Sequence, residues 1–150
     1  VAPTQRAIRF EEAVLDKLGR FVMDHPGLSV PAAVNILLAE ALRMEEHPGI
    51  AFRTGPSGRR AVTINGPDVW EIIRAVRVTR EAEKSASPKE IAEMVTEFSG
   101  VTPQQITAAI RYQAAYPEEI DGLIEAAEEA DRAVVAAGGP STGAGEVDRP

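Results

Sequence analysis

The sequence predicts a mainly α-helical protein with one short N-terminal strand and one small β-hairpin. Three observations lead there. Apolar residues recur at helical spacing through most of residues 11–137. Residues 50–64 break that rhythm: IAFR and RAVTI flank Thr54-Gly55-Pro56-Ser57-Gly58, the composition of a hairpin turn. Residues 5–10, QRAIRF, alternate instead, which predicts a half-buried strand with Ile8 and Phe10 inward and Gln5, Ala7 and Arg9 outward.

The first helix reads EEAVLDKLGRFVMDH, with Val14, Leu15, Leu18, Phe21 and Val22 on one side and acids at its positive end. Pro26-Gly27 end it, and Ser29 caps a second helix with Pro31 in its first turn. Val34, Leu37, Leu38, Ala41 and Leu42 form that helix's stripe, which stops at His47-Pro48-Gly49. After the hairpin, Asn65-Gly66-Pro67 lead into a helix to about Arg80, with Val69, Ile72, Ile73 and Val76 inward. Ser87-Pro88-Lys89-Glu90 and Thr102-Pro103-Gln104-Gln105 are paired capping-box starts. The first predicts a helix with Ile91, Met94, Val95 and Phe98 inward; the second, one with Ile106, Ala109 and Ile110. An acidic helix runs from Glu118 to Ala137, and residues 138–150, lacking apolar content, are expected to be disordered. Three segments follow: 1–46, 47–117 and 118–150.

The chain has 150 residues, 44% of them hydrophobic but 5% aromatic, so aliphatics and alanine must fill its core. Without cysteine there is no zinc finger, disulfide framework, Fe–S site or thiol nucleophile. No apolar run approaches the roughly 18 residues of a membrane span, and no signal-type apolar stretch opens the chain. A cytoplasmic protein with no membrane association is expected. Net charge is −7, yet residues 1–80 hold 11 Lys+Arg against 9 Asp+Glu, and residues 81–150 hold 5 against 14. Net +2 gives way to −9, a polarity suited to a polyanion at one end and a basic partner at the other.

Strand, helix, turn and helix over residues 5–46 resemble the ribbon-helix-helix family of bacterial repressors and antitoxins. The resemblance implies a homodimer whose paired strands enter the major groove of operator DNA. Gln5, Ala7 and Arg9 would then face the bases, and Ser29 with the first amides of its helix would hold a phosphate. An ordinary strand and helical hairpin, with Arg9 solvated, explains the same residues.

Residues 47–121 run from HPGIAFRTGPSGRRAVTINGPDVWEIIRAVR to SPKEIAEMVTEFSGVTPQQITAAIRYQAAYPEEID. In order and spacing they look like the domain-of-unknown-function family numbered 433, common in antitoxins paired with PIN-type nucleases. Together the resemblances imply a VapB-type antitoxin that binds a PIN-type ribonuclease toxin and represses its own operon. Arg53, Arg59 and Arg60 could grip phosphates of the DNA, fork onto carboxylates of a protein, or solubilise the loop. The acidic end would fold onto the toxin, with Ile120, Leu123 and Ile124 in an apolar groove. The negative face, Glu128 included, would meet a basic rim, or Arg132 would reach the nuclease's acidic metal site. A plain solvated helix explains the same charge run.

The helix pair 88–116 has helix-turn-helix spacing, but Glu90, Glu93 and Glu97 favour a packing role over DNA reading. Trp70 is read as core or interface, and His25 and His47 as helix-end residues. Glu45-Glu46 and Glu118-Glu119 are adjacent, point apart, and make no acid–base dyad. The glycine-rich runs lack Gly-Lys-Ser/Thr, so no nucleotide loop is expected. No enzymatic activity, cofactor or metal is expected. A protein-only interaction or dimerisation module and a stand-alone transcription regulator are the alternatives.

Overall fold

The computed structural model describes residues 2–138, so the expected disorder of 138–150 lies, apart from Gly138, outside the described residues. The chain divides into two compact units between Pro48 and Gly49. The first holds α1 (Glu12–Met23) and α2 (Val30–Glu46). The second holds β1 (Ile50–Gly55), β2 (Gly58–Thr63), α3 (Val69–Ala82), α4 (Pro88–Ser99), α5 (Pro103–Ala115) and α6 (Pro117–Ala137).

In the first unit, α1 ends in a turn where Gly27 takes a φ of +89°. The His25 ring stacks on Phe21 at 4.1 Å, and its Nδ1 lies 2.7 Å from the Phe21 carbonyl oxygen. Ser29 Oγ accepts the Ala32 N–H at 3.3 Å and caps α2, with Pro31 in the first turn. Leu18 and Ala33 are the buried apolar residues described in this unit. Residues 2–11 form no strand, so the N-terminal strand expected over 5–10 is not present, and Ile8 and Phe10 are exposed rather than inward. Strand amides need a neighbouring strand to bond, and two helices offer none.

The second unit starts with a hairpin whose register runs from Ile50↔Thr63 to Gly55↔Gly58. Asn65, at φ +57°, then turns the chain toward α3. Gln105 Nε2 donates to the Ile64 carbonyl at 3.1 Å, and a Cβ on Gly66 would collide with Thr63 Oγ1 and the Gln105 amide. A larger residue there would have to displace the Gln105 amide where α5 closes on this loop.

Both capping boxes form. The Ser87 N–H donates to Glu90 Oε2 at 2.7 Å, and the Thr102 N–H to Gln105 Oε1 at 2.9 Å. The backbone and then the side chain of Ser87 hold the Glu90 carboxyl below its ordinary value of 4.5.

The core joins Ile50 and Ala61 of the hairpin to Val69, Ile72, Ile73 and Val76 of α3, Ile91 and Val95 of α4, and Ile106, Ala109 and Tyr112 of α5. Ile120 and Ile124 of α6 complete it, so the start of the acidic helix belongs to this unit. The helices α3 and α5 pack on each other, and each also packs on α4 and α6.

In the first unit Val14, Leu15, Leu38 and Leu42 of the expected stripes are exposed, because two helices alone cover only part of each other's apolar face. In the second unit two residues of the expected inward stripes lie elsewhere. Phe98 is 65% exposed and Ile110 is 44% exposed. Helical periodicity gives a residue's face but not how far the neighbouring helix extends, and Phe98 stands in the last turn before Gly100. Ile72→Ala is expected to lower stability by about 2–5 kcal/mol in urea unfolding, by leaving a core cavity. Phe98→Ala is expected to change it by no more than about 0.5 kcal/mol; a large loss at Phe98 would contradict its outward placement.

Candidate nucleic-acid and partner interfaces

The hairpin arginines converge on one carboxylate. Asp68, the N-cap of α3, has a side chain only 3% exposed. Its Oδ1 accepts a hydrogen bond from Arg53 Nη2 at 3.1 Å, and its Oδ2 accepts the Trp70 indole N–H at 3.1 Å. Arg60 Nε lies 2.6 Å from Oδ2, a close ion pair whose direction falls short of a hydrogen bond. The Asp68 N–H donates in turn to Glu71 Oε2 at 3.0 Å. Register explains the convergence: Arg53 and Arg60 are directly paired across the hairpin and share one face. Val62 bridges to Asp68, which brings the start of α3 beside that face.

This arrangement separates the three arginines. Arg60 is 14% exposed, donates from Nη1 to Ser57 Oγ at 2.8 Å, and lies over Gly55, where a Cβ would strike its guanidinium. It is a structural group. Arg59 donates to Thr54 Oγ1 at 3.2 Å. Arg53 keeps 57% of its side chain in solvent and can still present donors outward. The repulsion between Arg53 and Arg60 is relieved within the chain by Asp68. Sequence reasoning missed Asp68, although Asp68-Val69-Trp70-Glu71 carries the same cap-and-acid spacing as the later helix starts.

Gln5, Ala7 and Arg9 lie exposed in the irregular segment before α1. Ser29 is exposed at the start of α2, its hydroxyl already used by the Ala32 amide. Beside them, Phe10, Val14, Leu18, Phe21, Leu37 and Leu38 line an open apolar cleft of about 430 Å³.

The residues expected to meet a toxin do not form one surface. Ile120 and Ile124 are 0% and 4% exposed in the chain's own core, and Leu123 packs against it. The expected folding of these three residues onto a partner is corrected by that placement: a side chain that closes α3 and α5 is not available to a groove elsewhere. Tyr112 reinforces the closure, its O–H donating to Glu119 Oε2 at 2.7 Å. Glu128 and Arg132 do lie exposed, in the later part of α6.

Among the described residues, no group of His, Asp and Glu is placed to hold a metal ion, and no helix is long and apolar enough to cross a membrane. Asp68→Asn is expected to cost about 3–5 kcal/mol by stranding Arg60 without its counter-charge, whereas Arg53→Ala is expected to cost less than about 1 kcal/mol. Equal effects in thermal or urea unfolding would contradict the division between a buried and an open arginine. Comparison with family models, with curated proteins and with solved structures finds no match to this chain in any of the three.

Proposed function

We propose that the protein is the antitoxin of a type II toxin–antitoxin pair, acting in the cytoplasm as a homodimer. In this reading the first unit binds operator DNA and represses transcription, and the second unit neutralises a PIN-type ribonuclease. The observation that carries it is the uncovered apolar side of the first unit. Val14 and Leu38, which line the cleft with Phe10, are 46% and 56% exposed, and Leu15 and Leu42 are 47% and 59% exposed. A second copy pairing residues 5–10 antiparallel would supply the missing strand neighbour and lay apolar side chains over that cleft.

The paired segment would then present Gln5, Ala7 and Arg9 outward. Residues 2–10 hold Arg6 and Arg9 and no acid, so the segment is locally cationic despite the negative total. A β-ribbon of this size fits a major groove. A protein-only module is the second reading, and Asp68 favours it for the second unit. By engaging Arg53 and Arg60 internally, Asp68 removes much of the hairpin's capacity for phosphate.

The DNA reading is tested by Arg9→Ala in operator-binding titrations at constant salt. A loss of about 1–3 kcal/mol is expected, and unchanged affinity would contradict it. For the toxin reading, the adjoining reading frame is expected to encode a small nuclease that this chain inhibits. Its absence would favour the protein-only or stand-alone regulator alternatives.

A further inference from the structure

Trp70, Arg74 and Arg77 stand at i, i+4 and i+7 on α3 and share one flank of that helix. Trp70 packs half-buried against the edge of the core, and its indole N–H is fixed on Asp68 Oδ2. Both arginines reach to α6: Arg77 Nη2 donates to Asp121 Oδ1 and Arg74 Nη2 to Asp131 Oδ2, each at 2.6 Å. A ring followed by guanidinium groups at one-turn intervals is the chemistry that holds a single nucleic-acid strand, a base on the ring and phosphates on the arginines. Here each of the two guanidinium groups is engaged by a carboxylate of α6.

The anchoring of α6 changes along its length. Ile120 and Ile124 sit in the core, but from Glu125 to Gly138 only Ala127 is half-buried and the rest are exposed. Asp131 thus lies on the part of the helix that the core does not hold. Its side chain is 62% exposed and that of Asp121 is 40% exposed. Ion pairs this open to solvent are weak and screened by salt. A phosphodiester chain that releases counterions on binding and engages guanidinium groups in bidentate fashion is a competitive partner for the same arginines.

We infer that the Trp70–Arg74–Arg77 flank of α3 binds single-stranded nucleic acid, and that Asp121 and Asp131 of α6 compete for it as internal occupants. This site is distinct from the N-terminal segment and does not rest on the antitoxin reading.

Trp70 is the sole tryptophan and reports directly on its own flank. The test titrates the full chain with an oligothymidylate of about 15 nucleotides at about 50 mM salt, following Trp70 fluorescence. Asp121→Asn with Asp131→Asn is expected to tighten binding on the order of five- to tenfold and to quench Trp70. Adding Arg74→Gln and Arg77→Gln should remove both the gain and the quench. Asp131→Asn alone, on the outlying part of the helix, should give an intermediate gain without disturbing the core. Arg9→Ala should leave the binding unchanged, which separates this site from the operator reading. Absence of binding, equal affinity across the Asp and Arg variants, binding without quenching of Trp70, or loss of binding in Arg9→Ala would each overturn the inference.

Discussion

Apolar side chains must be sheltered from water, at roughly 1.5–3 kcal/mol for each large one, and the two units of this chain meet that requirement to different extents. The second unit closes a hairpin and four helices around Ile72, Val95, Ile106, Tyr112 and Ile120, each nearly or fully buried. The first has only the 12 residues of α1 and the 17 of α2. Helices this short are marginal alone and depend on packing of their apolar faces. Leu18 and Ala33 are buried, and Leu15, Leu38 and Leu42 are left open. The proposed dimer is the arrangement that would cover that surface.

Within the second unit, Asp68 performs several tasks at one position. It caps α3, neutralises Arg60, holds Arg53 at the surface and orients Trp70. A carboxylate this buried needs its partners, and the arginines across the hairpin need a counter-charge. Hairpin and helix are therefore locked by mutual electrostatic need as well as by the Ile50 and Ala61 contacts with the core. At the start of α4, Ser87 stabilises the ionised carboxylate of Glu90.

Much of this fold was legible in the sequence because its signals are local. Ser87, Thr102 and Ser29 begin helices as their capping chemistry dictates, and Val69, Ile72, Ile73 and Val76 fall inward by period alone. The features that escaped depend on distant residues. Whether Ile8 and Phe10 join a strand depends on a neighbouring strand, and whether Phe98 is covered depends on where an adjacent helix ends. Ile120 and Ile124 read as partner contacts in the sequence and lie in the core instead, because an amphipathic stripe does not name what it packs against. Charge was misleading in a similar way. Split at Pro48 instead of residue 80, the chain before the break holds 5 Lys+Arg against 7 Asp+Glu, so its cationic character is confined to the segment bearing Arg6 and Arg9.

The central claim, that the first unit is completed by a second copy, is tested most directly by sedimentation equilibrium of the full chain from roughly micromolar to hundreds of micromolar concentration. The account predicts a species of twice the chain mass that Leu38→Glu with Leu42→Glu converts to a monomer while the second unit stays folded. A monomer throughout that range, with the first unit's helices intact by circular dichroism, would contradict it.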